Sequence, residues 1–341
     1  MKKLLLSCLV AATAMSSQAA DGKLKVKMDC KSVGDTILVA GYRAGKPDTI
    51  IGKQGTFSFE IDLSEVNNVI LTEPKAMRGD RSASMFRIPG VPGEEVVITD
   101  EDKSRYDVTG STFYAQYHEV DVAIESAQKE GKDATEVILS FIKAHPDYEA
   151  SAAIIPTMDG YDNMKQAVDL LTPAVRDGRF KSYYERALSK AEARKKADEE
   201  SAKKQAAGIE APNFTLNDLE GKPFSLTSLR GKYVILDFWG SWCIWCIRGI
   251  PKMKEYYDKY QGKFEILGID CNDTDEKWRD AVKKYDLPWL HVYNPRESSV
   301  LKDYGIQGFP TKIIVGPDGK IVKTIVGEDP QFYTLLDELF K

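Results

Sequence analysis

The chain has few cysteines, few histidines and no excess of basic residues. Five cysteines in 341 residues are too few for a disulfide-rich scaffold, and three histidines leave little for a histidine-rich metal site. Lys and Arg total 47 against 52 Asp and Glu, a net charge of -5, so no basic surface is available for a phosphate backbone. We therefore predict no nucleic-acid partner and no bound metal.

The first twenty residues have the composition of a secretory signal peptide. Two lysines precede an apolar run that starts at Leu4, and a small-x-small site predicts cleavage after Ala19, which removes residues 1–19. The run is shorter than the ~20 residues that span a bilayer, and no second run follows, so we expect no transmembrane segment in the mature chain. A lipid anchor at Cys8 stays open. The leader predicts a periplasmic protein in an oxidising compartment.

Changes of pattern divide the mature chain into three parts. From 22 to 110, short runs rich in Val, Ile, Phe and Thr are bounded by turn residues without intervening helices, which favours an antiparallel β-sandwich or barrel. From 111 to 207, helical spacing and interspersed charges predict a helical connector. From 208 to 341, strands alternate with helices before a hairpin, which predicts an α/β domain with a mixed sheet.

The chemistry is expected in the segment Trp239–Cys246, which reads WGSWCIWC. It follows the apolar run Tyr233–Trp239, which predicts a buried strand, and it opens the next helix. A thiol at a helix N-terminus faces free backbone N–H groups and the positive end of the helix dipole, and both favour the nucleophilic thiolate. The C-x-x-C spacing brings the second sulfur within reach of a disulfide. We predict that Cys243 is the exposed attacking thiol and that Cys246 resolves the mixed disulfide.

A C-x-x-C pair has two other roles in proteins. A zinc site needs two further ligands, and the remaining Cys and His residues show no paired ligand spacing. A peroxidatic cysteine usually has a Thr or Ser and a Pro upstream, at positions that Gly240 and Leu236 occupy here. Cys30 and Cys271 each end a predicted strand and are interpreted as buried thiols, with a bridge between them left open.

Taken together, these motifs resemble the thioredoxin superfamily. Residues 237–246 read DFWGSWCIWC, and 309–311 read FPT downstream. The lead-in segments 212–216 (PNFTL) and 225–232 (SLTSLRGK) look like those of the secreted TlpA/ResA-like thiol-disulfide oxidoreductases. The resemblance covers about 208–341 and implies a thioredoxin-like fold there. The upstream β region and helices are similar, more weakly, to an uncharacterised domain that precedes such modules in secreted bacterial proteins.

The resemblance also implies roles for residues around the cysteine pair. Pro310 matches a proline whose preceding peptide bond is cis and lies against the disulfide, and Phe309 is then expected to present backbone groups to a substrate strand. Asp237 matches a buried acid behind the pair. Burial should raise its pKa and let it take the proton of Cys246, while a purely structural role for Asp237 stays open. The resemblance implies no cofactor.

The dipeptide Ile244–Trp245 departs from the Gly-Pro that is commoner in the family. An apolar dipeptide stabilises a thiolate little, so we expect a reducing to intermediate potential, nearer the about -270 mV of thioredoxin than the about -120 mV of a strong oxidant. Trp242 and Trp245 are expected to contact substrates. Packing of Trp245 on the surface of its own domain is the alternative.

Two functions are compatible with these features. The first is a periplasmic thiol-disulfide oxidoreductase, a reductase or isomerase, that acts on thiols or disulfides of secreted proteins or of cytochrome-assembly clients. A membrane electron-donor protein would recharge it. The second is an adaptor in which the β-rich domain recognises a partner and the thioredoxin-like domain has little turnover, since catalysis alone needs only the last ~130 residues of a typical domain.

Overall fold

The structure is a computed structural model that describes residues 22–80, 82–102 and 105–341. The predicted signal peptide 1–19 and the open lipidation site at Cys8 lie outside these residues. The described chain forms two compact units, one ending at Glu192 and one beginning at Ala193. This dividing point falls inside the predicted connector 111–207, and the domain boundaries proposed from the sequence remain predictions.

The first unit begins with β-strands whose side chains alternate between a buried and a solvent-facing side. In the first strand, for example, Leu24, Val26 and Met28 are buried and alternate with the exposed Lys25, Lys27 and Asp29, as a period of two requires. The strands are β1 (Lys23–Cys30), β2 (Thr36–Ala40), β3 (Asp48–Ile51), β4 (Thr56–Asp62), β5 (Asn67–Thr72), β6 (Met85–Gly90), β7 (Glu95–Asp102) and β8 (Arg105–Gly110).

These strands form two four-stranded sheets, in the orders β4-β1-β7-β8 and β3-β2-β5-β6. The pairs are antiparallel except for β1 and β7, which run parallel from Lys25 opposite Glu95 to Cys30 opposite Asp100. Apolar residues of both sheets belong to one core cluster. The antiparallel-rich β domain expected from the sequence is therefore confirmed, with one parallel pairing inside it.

Helices follow the sheets and share their core. Phe113, Ile142 and Tyr184 belong to the same buried apolar cluster as Val26 and Ile98 of the strands. The helices up to Tyr184 therefore pack against the sheets. The bounds are α1 (Thr112–Lys129), α2 (Ala134–Ala144), α3 (Glu149–Ala153), α4 (Tyr161–Leu170), α5 (Pro173–Arg176) and α6 (Lys181–Lys204).

The second unit alternates strands and helices. After the end of α6 the elements are β9 (Thr215–Asp218), β10 (Pro223–Ser225), β11 (Tyr233–Trp239), α7 (Ile244–Lys259), β12 (Phe264–Cys271), α8 (Asp275–Lys284), β13 (Leu290–Asn294), α9 (Val300–Asp303), β14 (Thr311–Val315), β15 (Ile321–Val326) and α10 (Gln331–Phe340). The predicted buried strand Tyr233–Trp239 is β11, and its residues are buried on both faces after the first.

One seven-stranded sheet organises this unit, in the order β10-β9-β13-β12-β11-β14-β15. The strands β11, β12 and β13 are parallel, whereas β14 and β15 are antiparallel to their neighbours. One apolar layer joins the sheet to α7, α8 and α10, and a second layer covers the other face. The thioredoxin-like α/β fold predicted for the C-terminal part is confirmed, with β11 between β12 and β14 and with α7 directly after it.

Candidate active site

The loop between β11 and α7 places Cys243 at the first position of the helix. Cys243 is the N-cap of α7, and its Sγ accepts a hydrogen bond from the backbone N–H of Cys246 at 3.2 Å. The glycine at 240 is needed in this loop, since a Cβ there would lie 2.8 Å from the carbonyl oxygen of Cys271. A sulfur in this position receives N–H groups that no helical carbonyl uses, which is the arrangement that favours a thiolate.

Cys243 and Cys246 form a disulfide. The exposure expected of Cys243 is not seen in this oxidised form, because Cys243 is 5% and Cys246 6% accessible. Both residues belong to the apolar layer under α7, so burial alone does not distinguish the attacked sulfur. The N-cap position of Cys243 is what distinguishes the two, since only its sulfur accepts the helix N–H.

Aromatic and apolar side chains surround the disulfide on the protein surface. Trp242, Ile244 and Trp245 are each more than half exposed. The indole Nε1 of Trp242 donates to the carbonyl oxygen of Cys271 at 2.9 Å, and its ring meets the Phe309 ring edge-on at 5.3 Å. The Arg248 guanidinium lies over the Trp245 ring, 4.9 Å from its centroid.

The peptide bond between Phe309 and Pro310 is cis, as the resemblance implies. Pro310 directly precedes β14, the strand that pairs with β11. Because Phe309 contacts Trp242, the structure brings this segment beside the cysteine motif. The Pro310 carbonyl accepts the N–H of Gly327 at 2.8 Å, whereas Phe309 precedes the residues of β14 that pair with β11 and β15, so its backbone is the candidate to pair with an extended peptide.

Asp237 lies on β11, buried behind the motif. Burial raises the pKa of Asp237 to about 6, while the neighbouring Lys312 lowers it and Glu328 raises it. Its Oδ1 is buried and accepts no hydrogen bond. A carboxyl with a pKa near neutral can both hold and release a proton under working conditions, which is what a general acid–base requires.

Sequence reasoning missed a second group of acids beside the motif. Asp273 accepts hydrogen bonds from the backbone N–H and the Oγ of Ser241, at 2.6 Å and 2.7 Å, and so anchors the loop that carries Cys243. Burial, followed by the neighbouring Asp273, raises the pKa of the fully buried Asp270 to about 9. The sequence contains a signal for these acids. The parallel strands β11 and β12 end at the same edge of the sheet, so the cysteine motif at the end of β11 and the acids at the end of β12 are expected to lie close together.

Cys30 and Cys271, the other cysteines within the described residues, are free buried thiols. Burial raises the pKa of Cys30 to about 12, and it also holds the pKa of Cys271 well above its ordinary value. Thiols in this state are poor nucleophiles. Among the described residues, no group of three or more His, Cys, Asp or Glu side chains is arranged to hold a metal ion.

Comparison with known proteins places this site in a family context. A model of the AhpC/TSA family matches residues 207–324. The chain is 41% identical over 126 residues to thiol-disulfide oxidoreductase ResA of Bacillus thuringiensis subsp. konkukian, a match that spans 37% of this chain and 72% of the relative. It is 33% identical over 121 residues to ResA of Bacillus subtilis, spanning 35% of this chain and 67% of that relative.

Solved structures give a similar match. The crystal structure of the thioredoxin domain of a thiol-disulfide oxidoreductase from Bacteroides vulgatus is 32% identical, with a TM-score of 0.38, and the match covers 40% of this chain and 99% of that one. These matches cover only part of the chain, and the family model lies within the second compact unit.

Proposed function

Because the chain belongs to the ResA family of thiol-disulfide oxidoreductases, we propose that it exchanges disulfides with secreted client proteins through Cys243 and Cys246. The observation that carries this proposal is the disulfide at the start of α7, in which the Cys243 sulfur accepts the helix N–H of Cys246. The same N–H stabilises the thiolate once the disulfide is reduced.

The proposed exchange transfers two electrons from the dithiol to a client disulfide. The Cys243 thiolate attacks one client sulfur, forms a mixed disulfide and releases the other client sulfur as a thiolate. The Cys246 thiol then loses its proton to Asp237 and attacks the Cys243 sulfur. The Cys243–client bond breaks, the second client sulfur leaves, and the enzyme disulfide forms. Client contacts are proposed for Trp242 and Trp245, and for the backbone at Phe309.

The compartment and the electron donor are part of the proposal. None of the helices in the described part of the chain is long and apolar enough to cross a bilayer. The composition of residues 1–19 supports export to the periplasm. An apolar C-x-x-C dipeptide supports a reductive role, which needs a membrane protein that returns electrons to the Cys243–Cys246 disulfide.

A trapping experiment tests the client exchange. Cys246→Ala leaves Cys243 able to attack but removes the thiol that resolves the mixed disulfide, so we expect client proteins of the secreted fraction to accumulate as adducts that a reductant releases. The matched control is the double variant Cys243→Ser, Cys246→Ala, which has neither thiol. Equal adduct yields in the single and double variants would contradict the proposal.

A recognition role for the first unit is a second proposal. This unit has a core of its own, and a cavity of about 780 Å³ on it is lined by, among others, Tyr106, His118 and Asp121. If the unit selects clients, a chain that begins at Ala193 should still reduce insulin. The same chain carrying Cys246→Ala should trap only part of the set of clients trapped by the full-length Cys246→Ala variant. Identical sets of trapped clients would exclude the recognition role.

A further inference from the structure

We propose that the buried Lys312 and the partly exposed Glu328 form an ion pair that controls how readily Asp237 exchanges its proton, and that both are positioning residues of the redox reaction. The inference rests on the proposed function of Asp237. It adds two residues that touch neither the disulfide nor a substrate and that act through a carboxyl behind it.

The two charges lie next to Asp237 on the sheet. Lys312 on β14 is the direct antiparallel partner of Asp237 on β11, so the two side chains are on the same face and close together. Lys312 is only 1% accessible, and its Nζ lies 2.8 Å from a carboxylate oxygen of Glu328. The second oxygen of Glu328 accepts the Tyr333 hydroxyl at 3.0 Å. The lysine is thus paired with Glu328, and the Oδ1 of Asp237 accepts no bond.

A glycine makes room for this pair. Gly249 lies on α7, three residues after Cys246, and a Cβ at this position would lie 2.4 to 2.6 Å from the carboxylate atoms of Glu328. Any larger residue must push the Glu328 carboxylate away from its site. Glycine is less favourable than alanine within a helix, and the close approach of the Glu328 carboxylate is a physical reason for a glycine at this position.

The charged groups around Asp237 act in opposite directions. Lys312 lowers its pKa and Glu328 raises it. The other titratable neighbours are neutral at ordinary pH, because burial raises the pKa of the Tyr333 hydroxyl on α10 and of the Cys271 thiol on β12. On the β12 side, the residue paired with Asp237 is Gly268, which carries no charge. On α7, Cys246 is the proposed proton donor.

This balance predicts opposite effects of the two single variants. In Glu328→Gln, the Lys312 charge is no longer neutralised by Glu328 and stabilises the Asp237 carboxylate. The Asp237 carboxyl should therefore titrate about one pH unit lower. In Lys312→Met, Glu328 is unopposed and Asp237 should titrate higher. The double variant should return toward the wild type. The measurement is the titration of Asp237 in the reduced full-length protein, followed by NMR with aspartate labelled at the carboxyl carbon.

Gly249→Ala gives a test that changes no charge. Its methyl group displaces the Glu328 carboxylate, so the Asp237 titration should move in the same direction as in Glu328→Gln. Glu338→Gln, at an exposed position of α10, is the matched control and should leave the titration in place. Unchanged titration in both Glu328→Gln and Gly249→Ala overturns the ion-pair inference, as do shifts of the same sign in the two charge variants.

A separate measurement distinguishes this inference from the proposed function. The rate at which Cys246 resolves a mixed disulfide should follow the Asp237 titration in each variant and should fall in Asp237→Asn. If Asp237→Asn resolves mixed disulfides at the wild-type rate at all pH values, Asp237 is not the proton acceptor. In that case the ion pair can still shift the Asp237 titration, but its proposed role in the reaction is overturned.

Discussion

Cys243→Ser is expected to lower insulin reduction by dithiothreitol to the rate measured without protein. The reaction needs a nucleophile that forms and then breaks a sulfur–sulfur bond, and a serine hydroxyl does neither. The loss should be complete because the N-cap position stabilises the thiolate of Cys243 alone. In Cys246→Ser the first attack should survive, but dithiothreitol must then resolve the mixed disulfide in place of Cys246, so this variant should keep only part of the wild-type rate.

The controls for this prediction use the other thiols and the pH dependence of alkylation. Cys30→Ser removes a buried thiol of the first unit and should keep the wild-type rate. In the reduced protein, one thiol should react with iodoacetamide at a pH well below the ordinary cysteine pKa, and mass spectrometry should place the label on Cys243. Because the two cysteines are equally buried in the disulfide, preferential labelling of Cys246 would reverse the order of attack.

The sequence predicted the strand before the cysteine pair well and missed a strand at the edge of a sheet in the first unit. Tyr233–Trp239 is found with the predicted bounds because a strand buried on both faces must be continuously apolar. The strand Asp48–Ile51 was missed because it pairs only with β2, and its Ile51 is largely exposed, so it has little apolar pattern. The parallel pairing of β1 with β7 was also missed, because alternation along a strand is the same for either direction of its partner.

The residues of the candidate site that follow from local sequence were predicted, whereas those that depend on pairing between distant strands were not. The positions of Cys243 and Cys246 follow from spacing and from the strand before them. Lys312 and Glu328 are sixteen residues apart, and charged residues in or after a strand ordinarily face solvent. Only the pairing of β14 with β11 places Lys312 beside Asp237. Gly249 was the one local signal, since a glycine inside a helix often has a packing reason.

Asp270→Asn is expected to stabilise the second unit at neutral and alkaline pH. Asp270 is completely buried, and its pKa in the folded chain is raised to about 9. It is therefore protonated when folded and ionised when unfolded between about pH 4 and pH 9. The stability that the neutral form contributes is fully present below the unfolded pKa and is lost as the pH rises. At pH 7, keeping Asp270 protonated in the folded chain therefore lowers the free energy of unfolding by at most roughly 4 kcal/mol.

Asparagine keeps the shape of the protonated acid and does not ionise, so the variant should gain stability that grows with pH and vanishes near pH 4. In the wild type and in the variant, His291 makes the pH dependence of stability run in the opposite direction. Burial lowers its pKa to about 3, so its contribution is present above the unfolded pKa near 6.5 and is lost on acidification. The wild type should therefore show two opposing slopes, and Asp270→Asn should remove most of the one that falls toward alkaline pH. Asp237, whose pKa is raised to about 6, keeps the part of that slope between about pH 4 and pH 6.

The five tryptophans of the chain make this measurement specific. They are Trp239, Trp242, Trp245, Trp278 and Trp289, and all lie beyond Ala193 in the second unit. Urea unfolding followed by tryptophan fluorescence at several pH values therefore reports this unit alone. Asp280→Asn, exposed on α8, is the matched control. If the difference in unfolding free energy between the variant and the wild type does not grow from about pH 5 to about pH 8, Asp270 is not neutral in the fold, because only a group that ionises on unfolding gives that pH dependence.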